Sequence, residues 1–302
     1  MTRKPVSRNT IKTRKDTQPV EQKNISVSYV IPCYNEGMDV VESTIRDIQN
    51  LEVPAVREII LVDDGSDHDY SQFAGFQDTT LYHHKHNKGY GASLATGIRH
   101  SRYDWIAILD ADASYPIDKF PELLGLAGSF DMVVGARDWS RISWIKKPTK
   151  FILKKLAGYI ARSKIPDLNS GMRIFRREIY EDYKRYYPAG FSFSSTLTMV
   201  ALTQGYEIEF SPITYMKREG KSKIRPVKDS ARFTTQLIRL ALYFNPMRVF
   251  IPLSVCIMLL SITRGILDFR ETGELRGMSQ LLFVLAIQTF FFGLLAEIIN
   301  KK

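Results

Sequence analysis

The sequence predicts an α/β protein: a mostly parallel sheet with helices on both faces, then an amphipathic helix and a C-terminal two-helix transmembrane hairpin. Three observations carry this. Short apolar runs alternate with helical patterns from residue 25 to about 134, as in βα units that build a parallel sheet. Three of those runs end in polar clusters: Tyr34-Asn-Glu36, Asp63-Asp-Gly-Ser66 and Asp110-Ala-Asp112. Two long apolar stretches close the chain, at 249–263 and 281–296.

The elements follow in order. Val27 to Ile31 reads as a buried strand stopped by Pro32, which lacks a backbone donor. Val40, Val41, Ile45 and Ile48 fall at helical spacing. Glu58 to Val62 is a second strand, with Asp63 to Ser66 as its turn, and Leu81 to His83 a third. Gly89 to His100 reads as a helix with a glycine-rich entry; Trp105 to Leu109 and Met132 to Val134 are further strands. The entry Asn87-Lys-Gly-Tyr-Gly91 is no dinucleotide fingerprint, because position 94 is Leu and no strand runs directly into it. Its glycines read as backbone turns. His83, His84 and His86 flank Lys85 on a strand and loop, and their metal reading is set aside. Ligands of such sheets bind beyond the carboxyl ends of strands, so Tyr34, Asp64 and Asp110 can converge on one crevice.

The chain has 302 residues and a formal net charge of +10, which points to a polyanionic partner. A nucleic acid would account for the charge but not for the carboxylate clusters, and none is expected. Cys33 and Cys256 sit in different settings, which argues against a disulfide framework. Residues 1–24 are polar and basic with no apolar core, so they read as a disordered tail and not as a secretory signal.

The apolar runs extend to about 247–268 and 279–299, each about the 20 residues that cross a bilayer core. Basic residues from Lys217 to Arg248 precede them and Lys301 and Lys302 follow, while the intervening loop balances Arg270 and Arg276 against Glu271 and Glu274. The positive-inside rule then places both termini in the cytoplasm of a multi-pass protein of the cell membrane. Within 226–246, Phe233, Leu237, Leu240, Ala241 and Phe244 form an apolar stripe among Arg232, Gln236 and Arg239, which suits an interfacial helix.

Asp110 and Asp112 repel each other unless a cation is near. Hard oxygen ligands of this kind suit Mg²⁺ or Mn²⁺, which reach proteins through one or two carboxylates plus substrate phosphates. Taken together, Val30-Ile-Pro-Cys-Tyr-Asn-Glu36, Val62-Asp-Asp-Gly-Ser66 and Asp110-Ala-Asp112 closely resemble the family 2 glycosyltransferases with a Rossmann-like GT-A fold. Asp167-Leu-Asn-Ser-Gly-Met-Arg173 and Arg218-Glu-Gly-Lys-Ser-Lys223 resemble the polyprenyl-phosphate branch, which includes dolichyl-phosphate mannose synthase and bactoprenol glucosyltransferase. The likeness is strong over about 25–225 and extends to the hairpin.

The resemblance implies a metal-dependent, inverting transfer of a sugar from a nucleoside diphosphate sugar, of UDP-glucose or GDP-mannose type, to undecaprenyl or dolichyl phosphate. It implies that Pro32, Tyr34, Glu36, Val62, Asp64, Asp110 and Ala111 line the nucleotide pocket. Asp110 and Asp112 hold Mg²⁺ or Mn²⁺, and Asp112, Asp167 and Arg137 carry catalysis. Arg137, Ser170, Arg173, Lys217, Arg218, Ser222 and Lys223 bind phosphate. Two positions depart from the family: Ser114 stands where a glutamine ligand is frequent, and Lys217 holds the place of the basic loop's arginine. An inactive sugar-nucleotide-binding scaffold and a processive polysaccharide synthase are the alternatives. The latter lacks support, because Leu240 follows Gln236-Leu-Ile-Arg239 where tryptophan is required. A homo-oligomer stays open.

Overall fold

A computed structural model describes residues 25–53, 57–138, 155–190, 192–214 and 226–300. The chain divides into two compact units, Met1–Arg232 and Phe233–Lys302.

The first unit is built on a seven-stranded sheet in the order β3-β2-β1-β4-β6-β5-β7. The strands are β1 (Val27–Cys33), β2 (Arg57–Asp63), β3 (Thr79–His83), β4 (Trp105–Ile108), β5 (Met132–Arg137), β6 (Arg173–Arg176) and β7 (Ile208–Ile213). Pairing is parallel except at β6, which runs antiparallel to both β4 and β5. Central β1 is buried at every position, as expected of a strand covered on both faces. It does not stop at Pro32 but runs on to Cys33. Its pairing with β4 has already ended at Val30, so the missing N–H of Pro32 is tolerated.

Helices α1 (Met38–Gln49), α2 (Tyr90–His100), α3 (Phe120–Leu126), α4 (155–161), α5 (Arg177–Glu181) and α6 (Phe193–Thr203) complete the unit. α1 buries Val41, Thr44, Ile45 and Ile48, close to the stripe read from the sequence. Val41, Ile45 and Ile48 join Tyr29, Ile31, Leu61 and Phe120 in the main core. α2 is drawn close to the chain at 188–190, where a Cβ on Gly91 would collide with the Pro188 carbonyl oxygen.

In the second unit, α8 (Met247–Thr272) and α9 (Gly277–Asn300) form an antiparallel hairpin turned by Gly273, whose φ is 75°. α7 (Pro226–Phe244) leads into it. Both hairpin helices are long and apolar enough to cross a membrane. Outward residues such as Leu259, Phe269, Phe291 and Phe292 are exposed, while the seam is small and polar. α8 contributes Ser254, Ser261, Gly265 and Asp268; α9 contributes Ser279, Ala286, Thr289 and Gly293. Small residues let helix backbones approach where lipid offers no hydrophobic drive. Ser254 Oγ donates to the Ala286 carbonyl at 2.9 Å and Ser261 Oγ to that of Ser279 at 2.8 Å. On α7 Leu237, Leu240 and Ala241 are buried and Phe244 is half-buried.

Candidate active site

Strand direction decides where the site lies. Because β6 opposes both β4 and β5, the carboxyl ends of β1, β2, β4 and β5 share one sheet edge with the amino end of β6. Tyr34 and Glu36 follow β1, Asp64 follows β2, Asp110 to Asp112 follow β4, Arg137 ends β5, and 167–172 lead into β6. Every predicted site residue in the described part therefore reaches this edge, with Pro32 and Val62 buried in the strands behind it.

The β1 and β2 ends are laced together. Asn35 adopts a left-handed φ of 50°, which Asn tolerates better than most residues. Its N–H donates to Ser66 Oγ at 2.9 Å, and its side chain exchanges hydrogen bonds with Asp67. Tyr70 donates its hydroxyl to the Glu36 carbonyl at 2.6 Å; burial pushes that phenol up to about 12.

Asp64 is buried and both of its oxygens are engaged. Oδ1 lies 2.7 Å from His84 Nδ1 and accepts the Lys88 N–H at 2.9 Å; Oδ2 accepts the Gly89 N–H at 2.8 Å. His84 Nε2 meets Thr96 Oγ1 at 2.9 Å. The carboxylate thus fixes the entry of α2 to the end of β2. Its neighbour Asp63 has the same kind of partner, His83, at 2.6 Å.

The Asp110-Ala-Asp112 turn is shaped by Ala113, whose φ of 53° costs on the order of 1 kcal/mol for a non-glycine residue. That turn brings Ser114 back onto Asp112. The Ser114 N–H reaches Asp112 Oδ1 at 3.1 Å and its hydroxyl donates to the same oxygen. Ser114 thus serves Asp112 in the place where the family resemblance puts a metal ligand. Asp110 is half-buried and accepts the Tyr90 hydroxyl at 2.8 Å on Oδ1. Burial, then the Asp110 charge, raises the Tyr90 phenol well above its ordinary value, so it remains a donor.

Across the edge, Asp167 and Arg137 form a two-pronged pair. Arg137 Nε lies 2.6 Å from Oδ2 and Nη2 3.0 Å from Oδ1, and the Arg137 N–H adds a third contact at 3.2 Å. The Asn169 N–H donates to Oδ1 at 3.0 Å. Burial favours a neutral Asp167, but Arg137 and the two amides outweigh it and hold the carboxyl below its usual range. Arg173 is fully buried and its guanidinium is spent on the Ser170 and Ser194 carbonyls and Thr198 Oγ1. It clamps the 167–171 loop to α6. Ser170 Oγ is buried with no hydrogen-bond partner among the described residues.

The pattern of Glycosyl transferase family 2 matches residues 28–184, just over half of the chain. The chain belongs to glycosyl transferase family 2. A second pattern, the GtrB C-terminal hairpin, matches 245–301. Among curated relatives, the low-salt glycan biosynthesis hexosyltransferase Agl6 of Haloferax volcanii is 27% identical over 221 residues, covering 68% of this chain and 52% of its own. The chain therefore spans about half the length of that relative. The dolichyl-phosphate hexose transferase of Haloferax volcanii is 24% identical over 220 residues, covering 72% of this chain and 94% of its own. An undecaprenyl-phosphate 4-deoxy-4-formamido-L-arabinose transferase of Sodalis glossinidius is 29% identical over 163 residues, covering 51% and 50%. In structure, the glucosyl-3-phosphoglycerate synthase of Mycobacterium tuberculosis, solved with Mn²⁺, UDP and phosphoglyceric acid, superposes with a TM-score of 0.57 at 18% identity, over 72% of this chain and 78% of that one. The fold is GT-A.

In this family 2 chain the donor set at β4 fits a hard divalent cation. Among the described residues no group of three or more His, Cys, Asp or Glu side chains gathers for a metal. Two carboxylates remain, the number that Mg²⁺ and Mn²⁺ take when phosphates and waters complete the shell. The basic-loop residues Lys217, Arg218, Ser222 and Lys223 lie outside the described residues. Sequence reasoning set His83 and His84 aside with their metal reading, without seeing their pairing with Asp63 and Asp64, and missed Tyr90. A signal for the histidines was present: Asp63 and His83 stand opposite each other in the β2–β3 register, so the two acids and two imidazoles end adjacent strands together. Tyr90 carried no such signal.

Proposed function

We propose that this family 2 enzyme transfers a sugar from a nucleoside diphosphate sugar to a polyprenyl phosphate at the cytoplasmic face of a membrane. The observation that carries the reading is the Arg137–Asp167 pair at the sheet edge that also holds Asp110 and Asp112. An aligned guanidinium suits one phosphate; an acidic pair suits a metal-bound diphosphate. The names of the dolichyl- and undecaprenyl-phosphate transferases, and the GtrB hairpin, support a lipid acceptor.

The nucleotide rests against Pro32, Tyr34, Glu36, Val62, Asp64 and Ala111. Asp110 and Asp112 hold Mg²⁺ or Mn²⁺, which when bound offsets charge on the departing diphosphate. Arg137 orients the acceptor phosphate, and Ser170 offers it an unspent hydroxyl. Arg173 acts through the loop it clamps. Lys217, Arg218 and Lys223 neutralise phosphate charge, and Ser222 offers a hydroxyl donor to a phosphate oxygen. The acceptor phosphate oxygen donates an electron pair to the anomeric carbon, the bond from that carbon to the diphosphate oxygen breaks, and the diphosphate leaves with that bond's electron pair. In-line attack inverts the centre. No strong base is required, since a phosphate monoester loses its second proton near pH ~6. Asp167 therefore serves to aim Arg137, since its oxygens are already committed.

Separate titrations test the division of the two phosphates. Arg137→Ala should raise the lipid phosphate needed for half-maximal rate about ten- to a hundredfold, the loss of a charge-assisted contact of roughly 1.5–3 kcal/mol. Donor affinity should hold. Lost donor binding with unchanged lipid dependence would sink the assignment. For orientation, Gly273→Cys in intact cells should label from outside. Protection there, with labelling of the C-terminal end, reverses the hairpin.

A further inference from the structure

We propose that Tyr90 is a positioning residue for the Asp110 carboxylate, holding it in the orientation that a divalent cation and the donor diphosphate require. The inference rests on the reading of Asp110 as a metal and diphosphate ligand. It adds a function for the glycine-rich entry of α2.

Contacts on both sides fix the backbone at Tyr90 before it acts. The Lys88 and Gly89 amides are bound to Asp64, which ties the start of α2 to the end of β2. From the other side, the Ala92 N–H donates to the Ala189 carbonyl at 3.0 Å, and Gly91 leaves no room for a side chain against Pro188. The ring between these anchors delivers its hydroxyl to Asp110 Oδ1 at 2.8 Å.

The second oxygen of Asp110 is bounded independently. A Cβ built on Gly171 would lie 2.5 Å from Asp110 Oδ2. Gly171 is itself held by its N–H, which donates to the Tyr115 hydroxyl at 2.6 Å. The carboxylate therefore lies between a phenol donor and a bare backbone, with little freedom to rotate. Asp112 differs: its orientation comes from Ser114, two residues along the same turn. One ligand is set locally and the other from α2. Hydrogen bonds to metal-binding carboxylates fix their direction, and losing such a partner costs about ten- to a hundredfold in metal affinity or activity.

The test uses purified full-length chain with Mn²⁺ titrated in the presence of UDP, and in parallel GDP. Binding is followed by calorimetry and by the Mn²⁺ electron paramagnetic resonance spectrum, and thermal unfolding is recorded for each variant. Tyr90→Phe should bind Mn²⁺ with either diphosphate about ten- to a hundredfold more weakly, with an altered spectrum and an unfolding midpoint close to wild type. Gly171→Ala, which pushes on Oδ2 from the opposite side, should show the same loss and decides the matter if Tyr90→Phe does not fold. Asp110→Asn should bind most weakly. Wild-type affinity in Tyr90→Phe or in folded Gly171→Ala, alongside a defective Asp110→Asn, overturns this inference and leaves the role of Asp110 standing. A wild-type chain that takes up no Mn²⁺ with either diphosphate overturns the metal reading and this inference with it.

Discussion

The sheet edge and the membrane hairpin both bury polar groups, and the partners they use differ in kind. At the edge three acids meet partners from distant parts of the chain: Asp64 meets His84, Asp110 meets Tyr90, and Asp167 meets Arg137, while Asp112 is held by Ser114 on its own turn. In the hairpin, two hydroxyls donate to carbonyls across a seam of small residues, and Asp268 contacts Arg264 one turn away at 2.9 Å. The edge fixes the direction of charge; the hairpin fixes the distance between helices. Substitution at the edge should therefore alter chemistry first, and substitution in the hairpin should alter stability alone.

The largest effect is expected at Asp112. Asp112→Asn should slow transfer about a hundred- to a thousandfold, the usual cost of losing one group that stabilises developing charge. Its fold should hold, since Asn can still accept from Ser114. Chelator should do the same to wild type, as read from transfer rate and thermal unfolding. A fully active variant, or transfer that persists in chelator, refutes the metal assignment.

Asp167→Asn should come next. It leaves Arg137 without a full counter-charge. Arg137 is partly open to water, so the loss should be about 2 kcal/mol, less than for a fully buried pair. The pH dependence has a definite sign. The folded-state pKa of Asp167 is lowered, so its stabilisation is complete above the unfolded value of about 3.9 and fades as pH falls below it. Urea unfolding should separate wild type from Asp167→Asn at pH 7, with the gap narrowing below about pH 4. A gap that is constant with pH contradicts the ion pair.

The smallest effect belongs to the seam. Ser261→Ala removes one hydroxyl-to-carbonyl bond across the hairpin, at a cost of about 0.6 kcal/mol. Transfer at saturating lipid should not change. A large loss of activity with intact folding would mean that the hairpin does more than anchor.

Strands β1, β2, β4 and β5 were legible because each carries a compact apolar run before a turn; β3, with the sequence Thr-Thr-Leu-Tyr-His, showed only its end from Leu81 to His83. β6 was not: its four residues begin and end in arginine, and Arg173 satisfies its charge on carbonyls that only the folded chain provides. β7 contains Pro212, which marks it as an edge strand and conceals it from pattern reading. α6 is buried all round and rich in Ser and Thr, so it shows no amphipathic period. The site was legible in its carboxylates and arginine but not in what holds them. Motifs mark residue types at fixed offsets. The partners His84 and Tyr90 each lie 20 residues from the acid they hold, a separation that only the fold closes.

The most direct test is the mass of the product. Full-length chain in a bilayer is given short-chain polyprenyl phosphate and, in turn, a panel of UDP- and GDP-sugars. The account predicts that one donor adds a single sugar to the lipid phosphate and releases the nucleoside diphosphate, and that Asp112→Asn yields none. A lipid of unchanged mass with every donor, while a sugar is moved to water or to a soluble phosphate, would contradict it.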